Sequence, residues 1–383
     1  MIKTICICAD NYPTKNDPTH SFVEQLAMAI SLMGIKVVIL APQSPSSYGS
    51  RQKHPMFRKQ KDPNGNVISI YQPLIPTLGL RCQKYNEVVT NLVIRLLLSL
   101  IPYQPDVFYG HFWGNAYRMY NHAKRYKRPL FVATGESVIT FGLKSRVSDF
   151  EHFVRYLSGV ICVSSKNKEE SIRLGLTDGS NCCIIPNAIN EHVFRLKDKL
   201  KLRTQYGYNQ DDFIVAFLGW MINRKGPQRV AEAIKLCNTD IKSFFIGSPS
   251  KTENIIPDCP GILFKGSLDH DKVSDYLNMA DVFILPTLNE GCCNAIVEAL
   301  ACGLPIISSN RPFNYDILDR SNSILVDPED INQISSAIIT LKNDEKLRKQ
   351  LSEGAIKKAK ELSIEVRSTR IISFIENQIA KND

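Results

Sequence analysis

The chain has 383 residues, 44% of them apolar and 22% charged, and a net charge of +9. That length allows two or three domains with sizeable cores, and the composition excludes collagen-like, coiled-coil and disordered classes. Residues 1–197 hold 24 Lys and Arg against 13 Asp and Glu, and the remainder 23 against 25, so the basic front half and the near-neutral back half are suited to different partners.

The opening MIKTICICAD has too short and too β-branched an apolar part for a signal peptide, and Asp10 interrupts it. It predicts a first strand. Further strands are predicted at KVVILA, VISIY, DVFYG, LFVAT, GVICV and CCIIP. Amphipathic stretches lie between several of them: FVEQLAMAISLMG, YNEVVTNLVIRLLLSL, NAYRMYNHAKRY and KNKEESIRLG. A polar segment, NEHVFRLKDKLKLRTQYGYNQDD, interrupts the alternation, which restarts with FIVAFLG, KSFFIG, GILFKG, DVFIL, PIIS and SILV. Continuous apolar strands alternating with helices predict α/β architecture, with parallel sheets covered on both faces. Two such blocks predict two doubly wound domains, residues 1–195 and 196–362. The tail reads as two helices with a break around Ser363, and the last carries an apolar stripe (Ile371, Ile372, Phe374, Ile375, Ile379) that must pack somewhere.

No stretch approaches bilayer-spanning length; the nearest, NLVIRLLLSLI, is interrupted by Arg95. A cytoplasmic protein is expected. The 11 cysteines include no C-x-x-C, and most sit in apolar runs where a thiol behaves as a small hydrophobe. Their odd number favours reduced thiols, and no metal site is expected.

In open parallel sheets, ligands bind beyond the carboxyl ends of the strands. After DVFILP comes TLNEGCCNAIVEALACG, in which Gly291 opens a turn and a helix is expected to start near Cys292 or Cys293. The free N–H groups and dipole of such a start form an anion site. Glu290 and Glu298 stand eight residues apart, a span of about 12 Å at the helical rise. They are placed to bracket a sugar nucleotide, Glu290 on sugar hydroxyls and Glu298 on ribose hydroxyls, with the diphosphate on the amides between them. The alternative is two solvated helix charges. The apolar residues beside Glu298 (Val297, Ala299, Leu300) make a poor solvated face.

The whole stretch DVFILPTLNEGCCNAIVEALACGLPIISSN resembles the E-x7-E signature of retaining glycosyltransferase family 4. AFLGWMINRKGPQRVAEAI, VICVSSKNKEESIRLG, IIPNAINEHVF and DRSNSILVDPEDINQISSAI are similar to other segments of that family, so the resemblance runs over essentially the whole chain. It implies the GT-B fold, two Rossmann-like domains facing a central cleft, an acceptor domain first and a donor domain second. It also implies that residues 363–383 form a helix crossing back to the first domain.

Carried over by position, the resemblance makes Lys225 the lysine on the donor diphosphate. Arg224, Gly219, Gly247, Ser267, Gly291, Cys292, Cys293, Asn294 and Glu298 become donor-binding residues, and His111, Glu290 and Lys225 catalytic ones. Trp220 stands where the family usually has an arginine; Arg224, one turn away, reads either as the replacement charge or as a guanidinium facing solvent. The loop after the first strand, DNYPTKNDPTHSFVEQ, lacks the family's glycines, and Ser21 with the helix after it is the candidate phosphate contact there. LFVATGES holds Thr134, Gly135 and Glu136 where many members have a histidine. His111 reads either as the first-domain active-site residue or as a structural histidine packed among aromatic neighbours.

The implied reaction is retaining transfer without a carboxylate nucleophile, cofactor or metal. The leaving diphosphate is stabilised by Lys225 and the helix start, and closure of the two domains assembles the site. The partners expected are a nucleotide-diphosphate sugar and a glycan or lipid-linked acceptor, in polysaccharide or cell-envelope synthesis. RQKHPMFRKQK, KYNEVVTNLVIRLLLSLIPY and KRYKRP mix basic with apolar residues in the front half, which suits peripheral contact with anionic lipid at the inner face of the plasma membrane. The same residues read alternatively as solvated loops and a packed helix. No nucleic-acid-reading module accompanies them. A non-catalytic sugar-nucleotide-binding subunit and a GT-B epimerase are the competing readings. An oxidoreductase is disfavoured by the lack of G-x-G-x-x-G after the first strand.

Overall fold

A computed structural model describes residues 2–14, 20–43, 55–75, 82–140, 149–250 and 252–382. The chain divides into two compact units, Met1–Val163 with Asn167–Ile185 and Ile364–Asp383, and Ser164–Lys166 with Pro186–Ser363.

The first unit is built on strands β1 (Thr4–Cys8), β2 (Lys36–Leu40), β3 (Phe57–Lys61), β4 (Val67–Tyr71), β5 (Val107–His111), β6 (Leu130–Thr134), β7 (Gly159–Cys162) and β8 (Cys182–Ile184). They form one sheet in the order β3-β4-β2-β1-β5-β6-β7-β8, parallel except for the β3–β4 pair. The helices are α1 (Ser21–Leu32), α2 (Gln83–Leu100), α3 (Trp113–Arg125), α4 (Phe150–Tyr156) and α5 (Ser165–Arg173). Alternation of side chains along β1 feeds two cores. Ile5 and Ile7 join Val23, Leu26 and Ile30 of α1 on one face. Cys6 and Cys8 join Ile94, Leu97 and Leu98 of α2 and Trp113, Met119 and Tyr120 of α3 on the other. These thiols are packing groups, as their apolar context predicts.

Strand β3 was not among the predicted strands. FRKQK has no apolar run, because β3 is an edge strand whose cationic side chains discourage further pairing. It falls inside the basic stretch read above as an acceptor or lipid contact. Arg58 there bonds to Gln72 Oε1 (2.6 Å) and the Pro13 carbonyl (2.9 Å), which gives it a structural task. Residues 51–54 of that stretch, and 15–19 of the glycine-poor loop, lie outside the described residues.

In the second unit, strands β9 (Ile214–Leu218), β10 (Lys242–Ile246), β11 (Ile262–Gly266), β12 (Val282–Leu285), β13 (Ile306–Ser309) and β14 (Ser323–Val326) form an all-parallel sheet in the order β11-β10-β9-β12-β13-β14. Its helices are α6 (Lys199–Tyr206), α7 (Pro227–Leu236), α8 (His270–Met279), α9 (Asn294–Ala301), α10 (Ile331–Asn343) and α11 (Glu345–Glu361). The strand order reverses between β9 and β12. That reversal opens a crevice at the carboxyl ends of these two strands.

The chain changes unit at Pro186 and not near 195. The residues in between are tied to the second unit before its first strand begins: Asn187 Nδ2 donates to the Cys292 carbonyl (3.0 Å), and Lys197 N to Asn278 Oδ1 (2.7 Å). The polar break read from the sequence contains α6, anchored by buried Arg203, which donates to the carbonyls of Met279, Gln210 and Asp212 and to Asp281. The last helix, α12 (Ile364–Asn382), belongs to the first unit, where Ile371, Ile372 and Ile375 enter the α1 core with Phe374 and Ile379 against it.

Candidate active site

Everything the donor reading needs from the second unit lies on the carboxyl rim of its sheet. β12 ends at Leu285, and Pro286 and Thr287 lead to Glu290, which is 8% exposed. Its Oε1 takes three partners: Lys225 Nζ at 2.6 Å, Arg224 Nη1 at 2.6 Å and Thr287 Oγ1 at 2.9 Å. Arg224 also donates to the Asn289 carbonyl at 2.5 Å. Lys225 is buried, 3.7 Å from Cys293 Sγ. Burial alone would lower its pKa, but the Cys293 and Glu290 side chains more than offset that, so the ammonium stands above its usual value. The result is a compact cluster carrying two cations on one carboxylate.

Helix α9 starts beside it at Asn294, with Cys293 as N-cap and no side-chain cap. The Ile296 and Val297 amides already donate to the Cys293 carbonyl, both at 3.2 Å, so the amides at this start that can face an anion are those of Asn294 and Ala295. The start is one or two residues later than the sequence reading put it. Glu290 consequently lies outside the helix, and Glu298 is its fifth residue, little more than one turn along. The 12 Å helical span is thus not the measure of their separation. Burial pushes the Glu298 carboxyl up to about 8, although part of the residue still meets solvent, so its protonated form is favoured far more than for an ordinary carboxyl. Gly291, Cys292 and Cys293 are buried, while Asn294 is exposed and accepts from Asn187 Nδ2 at 2.8 Å.

On the neighbouring strands, Gly219 follows β9 and Gly247 follows β10. A Cβ on Gly247, whose φ is +151°, would lie 1.8 Å from the Gly219 carbonyl oxygen. Only glycine lets these two strand ends touch. A Cβ added at Gly219 would come 3.6 Å from Lys225 Cδ, so the lysine stem runs close to this strand end. Ser267, after β11, shares a 2.6 Å hydroxyl contact with Ser248, after β10. The predicted donor residues are therefore gathered on one rim.

His111 ends β5 of the other unit. It is 9% exposed, stacked on Phe22 (4.8 Å between ring centroids) and edge-on to Phe112 (4.7 Å). Its buried Nδ1 has no hydrogen-bond partner among the described residues. The next residue, Phe112, has φ +74°, a region that costs a side-chain-bearing residue. Beside it at the end of β6, the Glu136 carboxylate accepts from Thr134 Oγ1 (2.6 Å) and Gly135 N (2.9 Å).

The family model for "Glycosyltransferase Family 4" matches residues 20–193, and that for "Glycosyl transferases group 1" matches residues 198–358. The putative teichuronic acid biosynthesis glycosyltransferase TuaC of Bacillus subtilis is 23% identical over 348 residues, 87% of this chain and 88% of the relative. The Escherichia coli UDP-Gal:alpha-D-GlcNAc-diphosphoundecaprenol alpha-1,3-galactosyltransferase is 26% identical over 219 residues, 49% of this chain and 52% of the relative. Among solved structures, HepE of Anabaena, in complex with UDP and glucose, superposes with a TM-score of 0.70 at 14% identity, covering 98% of this chain and 100% of that one. The chain belongs to glycosyltransferase family 4. It is a glycosyltransferase of GT-B fold, with two α/β units.

Three residues of the second unit's carboxyl rim escaped the sequence reading. Thr287 orients Glu290, and its signal was the T-x-x-E spacing, here used side chain to side chain. Ser309, at the end of β13, donates to the Thr287 carbonyl at 2.5 Å, and Asn314 donates to the Ser309 carbonyl at 2.8 Å. Those two serve a neighbouring strand, so no local pattern reveals them.

Burial, with Arg367 and His20 adding to it, lowers the His111 pKa from 6.5 to about 3. The imidazole is neutral at any physiological pH. A base depressed in the fold binds its proton only on unfolding, so its contribution is complete above about pH 6.5 and is lost as pH falls towards 3. At pH 5 this costs about 2 kcal/mol relative to pH 7.5. His111→Gln should therefore flatten the acid limb of a Tm-against-pH series. An unchanged slope would place the acid sensitivity elsewhere.

Proposed function

We propose that this glycosyltransferase moves a sugar, with retention at the anomeric carbon, from a nucleotide-diphosphate sugar to a hydroxyl of a glycan or lipid-linked acceptor in surface-polysaccharide synthesis. The Arg224–Glu290–Lys225 cluster at the start of α9 carries this reading. Lys225 and the free α9 amides meet the diphosphate. Glu290 takes sugar hydroxyls while keeping Lys225 charged, and Glu298 meets a ribose oxygen. In the reaction, the bond from C1 to the phosphate oxygen breaks and the leaving charge falls on groups already oriented towards it. The acceptor oxygen bonds to C1 on the same face, and its proton passes to the departing phosphate oxygen. The chemistry calls for no metal or cofactor. In the first unit, the strained backbone after His111 and the unpartnered Nδ1 support that strand end as the acceptor side.

The test is release of nucleoside diphosphate from UDP-, GDP- and ADP-sugars, with and without lipid-linked acceptor fractions, with Glu290→Ala as control. Turnover of one donor that disappears in the control supports the proposal. Donor binding without release under any acceptor would favour a binding subunit and overturn it.

A peripheral membrane contact completes the reading. Along α2, Val88, Leu92, Leu96 and Leu100 form a single i, i+4 ridge, each 57–60% exposed, opposite the buried Ile94, Leu97 and Leu98. No helix of the described residues is long and apolar enough to cross a membrane. Just beyond the C-terminal end of α2, Gln104 Oε1 lies 3.2 Å from His122 Nε2 of α3. That contact brings the chain just after α2 to the last turn of α3, which carries Lys124 and Arg125 and is followed by Lys127 and Arg128. An apolar ridge followed by a basic cluster fits the interface of an anionic bilayer, and would station the protein at the cytoplasmic face where lipid-linked acceptors are held. Leu92→Gln with Leu96→Gln should weaken sedimentation with phosphatidylglycerol vesicles about 10-fold or more, with no effect on the weak binding to phosphatidylcholine. Equal binding of variant and wild type would sink the contact.

A further inference from the structure

The two tryptophans of the chain are placed in opposite ways. Trp113 is fully buried in the first unit, whereas Trp220 is 54% exposed. Trp220 stands directly after Gly219 at the carboxyl end of β9, on the flank of the β9–β12 crevice. Its backbone is pinned: the Trp220 carbonyl accepts from Ile222 N at 2.9 Å. The following residue is held on both sides, with Met221 N donating to the Ser248 carbonyl (2.9 Å) and the Met221 carbonyl accepting from Ile255 N (2.8 Å). The residue before it is Gly219, where an added Cβ would come 3.6 Å from Lys225 Cδ, so the lysine stem passes close to this turn. A large apolar side chain is thus presented to solvent from a fixed turn on the binding rim, and its indole makes no hydrogen bond among the described residues.

An indole carries no charge to meet a diphosphate, and the cations for that task are Arg224 and Lys225. What it offers is a rigid, flat, electron-rich face. The ligand chemistry that matches such a face is the patch of C–H bonds on one side of a pyranose ring, whose hydrogens carry slight positive charge. Ordering a tryptophan costs little because only two torsions are fixed.

We propose that Trp220 is a stacking platform for a pyranose ring bound at the β9–β12 crevice, and that it sets which sugars this enzyme accepts. The proposal rests on the glycosyl-transfer reading and adds a specificity residue to it. Two sources can supply the ring, the donor's sugar or a sugar of the acceptor.

Trp113 is buried beside the His111 strand end, so an emission change is assigned to Trp220 only where it disappears in Trp220→Phe, and one that persists there comes from Trp113. The titrants are UDP, GDP and ADP, their glucose or mannose conjugates, and methyl α-glucoside and methyl α-mannoside, with nucleotide binding followed separately by equilibrium dialysis. A shift with a sugar nucleotide, absent with its nucleoside diphosphate, is expected if the donor's ring stacks. A shift with a methyl glycoside is expected if the acceptor's does. In either case Trp220→Ala should raise KM for that sugar-bearing substrate about 10-fold while leaving diphosphate binding unchanged, and Trp220→Phe should recover most of the loss. A full shift with nucleoside diphosphate alone overturns the proposal, as does no shift with any titrant and an unchanged KM in Trp220→Ala. Failure of every nucleotide to bind in dialysis would instead overturn the donor reading, leaving the glycoside arm to decide the role of the indole.

Discussion

Replacing Glu290 by glutamine should lower turnover about 100- to 1,000-fold, the range seen when one preoriented electrostatic group is removed from an active site, without weakening nucleoside-diphosphate binding. The two effects separate because Glu290 has two relations. It is the hydroxyl-binding carboxylate of the proposed reaction, and it is the counter-charge that occupies Arg224 and Lys225, 2.6 Å away in each case. Glutamine keeps the shape and the contact with Thr287 but frees both cations, so an incoming diphosphate meets less competition. The cost appears in stability. Breaking a buried ion pair costs about 3–5 kcal/mol, and the figure here belongs at the lower end because Arg224 is 36% exposed and can turn to solvent. Steady-state kcat and calorimetric diphosphate affinity, read on the same preparation, check this. If affinity falls in step with kcat, Glu290 acts only by holding the cluster together.

Gly247→Ala should be the most damaging single methyl in the second unit. The position combines φ +151° with a carbonyl oxygen 1.8 Å from where the Cβ would stand. Backbone strain of this kind costs about 1–3 kcal/mol, and the overlap with Gly219 cannot be relieved by a side-chain rotation. A loss of about 3 kcal/mol or more lowers Tm by about 6 °C or more for a unit of this size. Donor KM should rise as well, since the displaced Gly219 lies on the same strand-end rim as Lys225. Gly207→Ala is the control: φ is +74° there, but nothing lies within 4 Å of the added carbon. Equal losses at the two positions would show that backbone strain alone, and not the strand-to-strand approach, demands glycine at 247.

Local sequence determined a good deal of this protein. Runs such as TICIC and IVAFL make parallel strands because a strand buried on both faces needs apolar residues at every position, and that requirement is visible in any short window. The same locality exposed the E-G-C-C-N turn and the stripe of α12, whereas Lys225 was picked out only by the family resemblance. Edge strand β3 lacked that signature because only one of its edges is paired, so its sequence answers to solvent. The unit boundary at Pro186 was hidden for another reason: Asn187 and Lys197 are held by Cys292 and Asn278, far along the chain.

Tertiary structure alone decided the electrostatics of the site. The spacing of Glu290 and Glu298 says nothing of Lys225 reaching Glu290 from another strand, nor of Ser309 and Asn314 supporting Thr287. It says equally little of the burial that raises the pKa of Glu298 and lowers that of His111. Residue types and periodicity fix which groups are available. Desolvation and charge pairing depend on what other segments bring within a few ångströms, and only folding brings those segments together.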